Sequence, residues 1–300
     1  MADSGTMDEQ RFDVAVAEGR VLEVVAAGPE DGIVLLFHNG TPSGPVIYEP
    51  FAHAAAERGM RLVEYARPGY SGSTRQPGRA VAGCAEDVVA IATHLGADRV
   101  LTAGWSGGGP HALATAALVP DRVMAAATIA AVAPWGAEGL DWLAGMGKEN
   151  VEEFGAALAG PEELQAYLET AAKELADVSG PDVADALGDL IPDVDRSSLT
   201  GEFADNLSAA FRRAISSGIW GWFDDDLAFV RDWGFDLGSI RVPLSVWQGA
   251  KDRMVPFAHG EWLVAHIAGA KPKLFPDHGH LSIVVASFGE ILDDLLANAG

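Results

Sequence analysis

Residues 100–117, "VLTAGWSGGGPHALATAA", decide how this chain is read. An apolar run that suits a strand ends at Trp105. Ser106 follows, then Gly107, Gly108, Gly109 and Pro110, and the chain turns alanine-rich as a helix would. Gly104-Trp105-Ser106-Gly107-Gly108 matches G-x-S-x-G between a strand and a helix, an arrangement known as the nucleophile elbow. Such a turn is tight enough that residues two positions either side of the serine must be small. Glycine tolerates both the crowding and a positive φ. The hydroxyl is left exposed beside free N–H groups and the positive end of a helix. A glycine-rich turn whose serine merely caps the helix would show the same five residues. The flanking strand and helix favour the nucleophile.

A serine hydroxyl is a weak nucleophile at neutral pH. It needs a base, a third group to orient that base, and donors for the oxygen that becomes negative in acyl transfer. The base is expected late in the chain, after the last strand. "PDHGHLSIVV" offers His278 and His280. His280 directly precedes the final helical pattern and is preferred. The orienting acid is expected between the two in sequence. "LSVWQGAKDRMVP" places Asp252 on the loop after an apolar strand, which fits the chain order Ser, Asp, His. Asp277 is the weaker candidate, because it lies too close to His280 to sit on a separate loop. Oxyanion donors are expected from the N–H groups of Gly107 and Thr41, the latter on the loop "HNGTP" that follows the apolar run 33–37. Gly40 lets that backbone approach, and Pro42 stiffens its exit. His38 is expected to brace this loop and to border the pocket.

Outward from these segments, strand and helix patterns alternate. "FDVAVAEG" and "RVLEVVAAG" read as a hairpin. A buried strand at 33–37, a helix near 49–58, the strand "RLVEYA", a helix at 82–95, the elbow, and the strand "RVMAAATIAAV" follow. Such alternation predicts an α/β fold with a mostly parallel sheet and helices on both faces. From 134 to about 236 the pattern is helical with no convincing strand. The α/β rhythm then returns. The predicted organisation is a core at 1–133 and 237–300, interrupted by an all-helical cap at 134–236. That insert holds about half of the chain's 43 acidic residues and five of its eight tryptophans. Trp135, Trp220 and Trp222, with Trp105 beside the serine, are its expected contributions to a substrate pocket. Tryptophans at helical spacing also read as cap core.

Composition excludes several classes. The net charge of −23 opposes binding to nucleic acid or anionic lipid. No apolar run reaches the ~18 residues of a membrane span. The acidic N-terminus lacks the basic start and apolar stretch of a secretory signal, so a cytoplasmic location is the default expectation. No Cys/His cluster has zinc-like spacing, and the chemistry above needs no metal and no organic cofactor. Cys84 is the single cysteine and reads as a small buried residue. The expected partner is a small-molecule or short peptide substrate. Oligomeric state is not encoded in any pattern here.

"HNGTP", "RPGYSGST", "GWSGGG", "GAKDRMVP" and "DHGHLS", in that order, together resemble the α/β-hydrolase superfamily, in particular its proline-iminopeptidase-like and esterase-like branches. The resemblance spans nearly the whole chain. It implies an eight-stranded, mostly parallel sheet and an inserted helical cap between the sixth strand and the following core helix. Many members carry His-Gly in the oxyanion loop, whereas Asn39 separates His38 from Gly40 here. A serine rather than an aspartate at 106 points away from haloalkane dehalogenases and epoxide hydrolases. The implied function is hydrolysis of an ester or amide through an acyl-enzyme, with a perhydrolase side activity open to the same residues. A narrower alternative is an aminopeptidase, in which an acidic residue such as Glu202, Asp205 or one of Asp224, Asp225 and Asp226 holds a substrate ammonium. The alternative from another class is a non-catalytic scaffold that binds a small ligand.

Overall fold

A computed structural model describes residues 8–300. The reading of the extreme N-terminus as lacking a signal falls partly on residues 1–7, outside the described residues. Strand β1 (Glu9–Ala15) pairs antiparallel with β2 (Val21–Ala27), the expected hairpin. Then come β3 (Ile33–His38), α1 (Glu49–Ala56), β4 (Met60–Tyr65), α2 (Cys84–His94), β5 (Val100–Trp105), α3 (Gly109–Leu118) and β6 (Val123–Ile129). The next segment is helical: α4 (Lys148–Ala159), α5 (Pro161–Ala176), the short α6 (Val183–Ala186) and α7 (Asp193–Arg196), α8 (Gly201–Ala214) and α9 (Trp220–Phe229). The chain closes with β7 (Leu244–Gly249), α10 (Phe257–His266), β8 (Lys271–Phe275) and α11 (His280–Asn298).

The eight strands form one sheet in the order β1-β2-β4-β3-β5-β6-β7-β8. Strands β3 to β8 run parallel, and β2 joins β4 antiparallel. The apolar runs have a physical purpose in this arrangement. Leu35 and Phe37 of β3 enter one core with Phe51 of α1 and Phe288 of α11, whose rings stack at 3.7 Å. Val34 and Leu36 enter the opposite core with Val88 and Ile91 of α2. Both faces are therefore buried, as parallel sheets require.

Strand order reverses between β3 and β5, because β3 is followed in sequence by a neighbour on one side and then by one on the other. Loops leaving the carboxyl ends of two such strands diverge and open a crevice. Residues 39–41 leave β3 there, and Ser106 leaves β5. Among the described residues, the connection from β6 to β7 contains no strand. Residues 230–243, which include a short helical turn at Leu237–Ser239, join α9 to β7. Cys84 is buried, and burial pushes its thiol up to about 12.

Candidate active site

Ser106 adopts φ = 56°, a left-handed conformation that non-glycine residues rarely occupy and that is retained where surrounding structure forces it. The glycines nearby explain the force. A Cβ at Gly104 would strike the Gly108 carbonyl, one at Gly108 would strike the His38 carbonyl, and one at Gly109 would strike Ala131. Strand, turn and helix are thus pressed together without side chains between them.

His280 is the first residue of α11 and is 1% exposed. Its Nδ1 lies 2.8 Å from Asp252 Oδ2. A carboxylate beside Nδ1 fixes the proton there and leaves Nε2 as an acceptor. Asp252 is held by the loop after β7. Its Oδ1 accepts the N–H groups of Met254 and Val255 at 2.9 and 2.8 Å, and its Oδ2 also accepts Gln248 Nε2 at 3.1 Å. Burial raises the Asp252 carboxyl above its ordinary range, and the His280 ring and the Val255 amide oppose that rise.

Ser106 and His280 share the wall of one cavity of about 190 Å³, together with Gly40, Thr41, Trp105 and Gly107. Trp105 Nε1 donates to the His280 carbonyl at 3.2 Å, which ties the elbow to the histidine helix. Among the described residues, no hydrogen bond joins the Ser106 hydroxyl to the His280 ring. Catalytic hydrogen bonds of this kind are often long before a substrate arrives. A Cβ built on Gly40 would lie 3.4 Å from Ser106 Cβ, so the β3 loop closes directly over the serine. Among the described residues, no hydrogen bond uses the Thr41 N–H, and the Gly107 N–H sits in a first helical turn without an intrahelical acceptor.

The other expected pocket residues divide. Trp105 and Trp222 line the cavity. His38, Trp135 and Trp220 are not among its lining residues. His38 lies behind the elbow, fully buried between Tyr65 Oη and Thr102 Oγ1 at 3.2 Å each. Trp135 packs edge-on against Trp142, and Trp220 lies under the Arg75 guanidinium. Asp277 is exposed and pairs with Lys251. Asn39, the residue inserted in the loop motif, donates to Glu64 Oε2 at 2.8 Å, and burial pushes that carboxyl up to about 7.

Arg67, Asp195 and Glu153 have no role in the sequence analysis, whereas Asp226 is among its acidic candidates. Arg67, from "RPGYSGST", donates to the carbonyls of Asn39 and Gly40 at 2.5 and 2.9 Å and to Asp225 Oδ2 at 2.6 Å. Asp195, from α7, accepts the N–H groups of His280, Leu281 and Ser282 at 2.7, 3.0 and 2.8 Å. Glu153, half-buried, and Asp226, fully buried, line the cavity side by side. Burial pushes Glu153 up to about 7, and burial with the neighbouring negative charge raises Asp226 well above its ordinary value. Trp222 Nε1 donates to Glu153 Oε1 at 2.8 Å, and among the described residues no N–H or hydroxyl donates to the Asp226 carboxyl, which meets Glu153.

The family model described as "alpha/beta hydrolase fold" matches residues 33–287. The chain belongs to the α/β-hydrolase fold family. Solved structures that resemble it include a hydrolase from Pseudomonas aeruginosa PA01, with 21% identity and TM-score 0.67 over 99% of this chain and 100% of the other. An α/β-hydrolase fold protein from Nakamurella multipartita shows 26% identity and TM-score 0.64 over 97% and 100%. The enol-lactonase from Burkholderia xenovorans LB400 shows 19% identity and TM-score 0.67 over 95% and 100%. A curated relative, the uncharacterized hydrolase YcgS of Bacillus subtilis (strain 168), is 28% identical over 116 residues, 38% of this chain. The match spans only 39% of that relative's length.

Proposed function

We propose that the chain is a serine hydrolase that cleaves an ester or amide bond of a small molecule through an acyl-enzyme. Ser106 attacks the substrate carbonyl while His280 Nε2 takes its proton. Asp252 keeps the imidazole in the required tautomer and stabilises its charged form. The N–H groups of Gly107 and Thr41 receive the oxyanion. His280 then protonates the departing alcohol or amine, and water, activated by the same base, releases the acid. On this reading residues 134–236 act as a cap over a core formed by 1–133 and 237–300. The observation that carries the proposal is the 2.8 Å bond between His280 Nδ1 and Asp252 in the wall of the cavity that Ser106 enters. A set of p-nitrophenyl esters tests it. Wild-type protein is expected to turn over a short-chain ester, and Ser106→Ala is expected to lose at least ~10³-fold. Equal turnover by the two proteins rejects the assignment.

A specific observation favours a second reading, an aminopeptidase or an esterase for amine-bearing substrates. Among the described residues, the cavity wall carries Glu149, Glu153, Glu174 and Asp226 and no lysine or arginine. A substrate ammonium would meet the Asp226 oxygens and the aromatic faces of Trp222 and Phe229. Alanine and proline arylamides, compared with neutral acyl esters of the same size, separate the readings. Ester turnover with no arylamide turnover discards the peptidase.

A further inference from the structure

The segment between β6 and β7 reaches back into the site through Asp225 of α9, a residue that the acyl-transfer steps do not use. Asp225 is 0% exposed. Its Oδ2 accepts from Arg67 Nη2 at 2.6 Å, from Arg67 Nε at 3.0 Å, and from Tyr70 Oη and Thr41 Oγ1 at 2.9 Å each. Its Oδ1 lies 2.6 Å from Arg79 Nη1. The same Arg67 guanidinium donates to Asn39 O, to Gly40 O and, at 2.8 Å, to Thr41 Oγ1. One core arginine therefore grips three consecutive residues of the oxyanion loop and one carboxylate from the helical segment.

The consequence follows from peptide geometry. The peptide unit joining Gly40 to Thr41 is planar, so its C=O and N–H point in opposite directions. Arg67 binds the Gly40 carbonyl, which turns the Thr41 N–H to the side away from Arg67. Gly40 and Thr41 both line the cavity that contains Ser106. Nothing else among the described residues binds the Gly40 carbonyl, so Arg67 alone opposes a flip of this peptide. Arg67 in turn lies within a cluster that also holds Arg79. Without Asp225, the two guanidiniums would lose the one carboxylate that, among the described residues, both of them pair with, and such a desolvated site rearranges or admits water.

We propose that Asp225 and Arg67 are positioning residues for the oxyanion hole: Asp225 fixes Arg67, and Arg67 fixes the Gly40–Thr41 peptide with its N–H toward the reacting carbonyl. Because Asp225 belongs to the segment between β6 and β7, a competent hole exists only while that segment is seated on the core. This inference rests on Thr41 N–H being an oxyanion donor.

The adjacent residue supplies a control. Asp224 also joins α9 to the core, through Arg75 at 2.8 Å. Arg75 lies over the Trp220 and Phe223 rings, and among the described residues it hydrogen-bonds Asp224 and no residue of the 39–41 loop. Asp225→Asn, Asp224→Asn and Arg67→Lys would be compared with wild type. Each is assayed on a short-chain p-nitrophenyl ester, with active sites counted by titration with a fluorophosphonate. Each is also titrated with a trifluoromethyl ketone, whose adduct with Ser106 carries an oxyanion. Loss of a whole oxyanion donor costs about 10²–10³-fold in kcat, and a mobile donor is expected to cost about 10–100-fold. Asp225→Asn should lower kcat per active site by that factor, leave KM within about 3-fold, and weaken the ketone by the same factor as kcat. Asp224→Asn should stay within about 2-fold of wild type. Arg67→Lys keeps a charge opposite Asp225, but one ammonium cannot bind both that carboxylate and the loop carbonyls. It should repeat the kcat loss, and it decides the matter if Asp225→Asn fails to fold. Asp225→Asn or folded Arg67→Lys with wild-type kcat per active site overturns the proposal, as does a change confined to KM. A wild-type protein that the fluorophosphonate does not label refutes the serine-hydrolase reading instead.

Discussion

Asp195 Oδ2 accepts the backbone N–H of His280 at 2.7 Å, and its Oδ1 takes the next two N–H groups of the helix. The proposed base therefore stands at a helix N-terminus whose free donors are satisfied by a carboxylate from the segment between β6 and β7. A Cβ at Gly279 would collide with that carboxylate, so the residue before His280 must be small.

Removal of this cap should be costly. An N-cap loss typically costs 0.5–2 kcal/mol, and three buried N–H groups left unpaired add to it. Asp195→Ala is expected to lose about 2 kcal/mol or more in urea denaturation, with Asp195→Asn in between. A loss below about 0.5 kcal/mol would show that water replaces the carboxylate without strain.

The crowding around Ser106 makes a second test. Gly108→Ala places a methyl group against the His38 and Asn39 carbonyls, and rigid backbone cannot yield as a side-chain tip can. Overpacking of this kind costs about 1–3 kcal/mol. The variant should lose stability and activity together. Gly155→Ala in α4, with open space around its Cβ position, should lose neither.

The contribution of Glu64 to stability should fall as pH rises from about 5 to 8. The Glu64 carboxyl is raised by burial from 4.5 to about 7 in the folded chain. Between those values the folded state binds more protons than the unfolded state, so the stability present below about pH 4.5 is lost as pH climbs through 7. Glu64→Gln should flatten the dependence of the urea midpoint between pH 5.5 and 7.5. An unchanged slope would place its titration elsewhere.

The cavity carboxyls give a kinetic counterpart. Glu153 is raised to about 7 by burial and touches Asp226. An amine-bearing ester should bind more tightly as the pair loses its proton, so its KM should fall as pH rises through 7, while a neutral ester shows no such trend. Glu153→Gln should remove the difference. A KM for the amine-bearing ester that ignores pH would exclude this pair as its contact.

The alternation of strand and helix was legible because both faces of the parallel strands are buried, which leaves continuous apolar runs such as the one ending at Phe37. Ser106, Asp252 and His280 stand out as candidates in the sequence for a local reason: each follows a strand and is flanked by its own glycine or proline signals. Asp225 was not. It stands in a run of three aspartates, and only the folded neighbours distinguish them: Asp224 meets Arg75, Asp225 meets Arg67 and Arg79, and Asp226 enters the cavity. Asp195 was equally silent, since it lies 85 residues from the N–H it accepts. Among the tryptophans, residue type indicated burial but not direction, so Trp222 faces the cavity while Trp135 and Trp220 pack elsewhere.

The central claim is that the Ser106 hydroxyl is made reactive by His280, itself oriented by Asp252. Intact-protein mass spectrometry after exposure to a fluorophosphonate, with peptide mapping of the adduct, tests it most directly. One phosphonyl group is expected on Ser106 of the wild type, none on Ser106→Ala, and labelling slowed by orders of magnitude in His280→Gln. Labelling of Ser106→Ala at the wild-type rate, or of His280→Gln as fast as wild type, would contradict it.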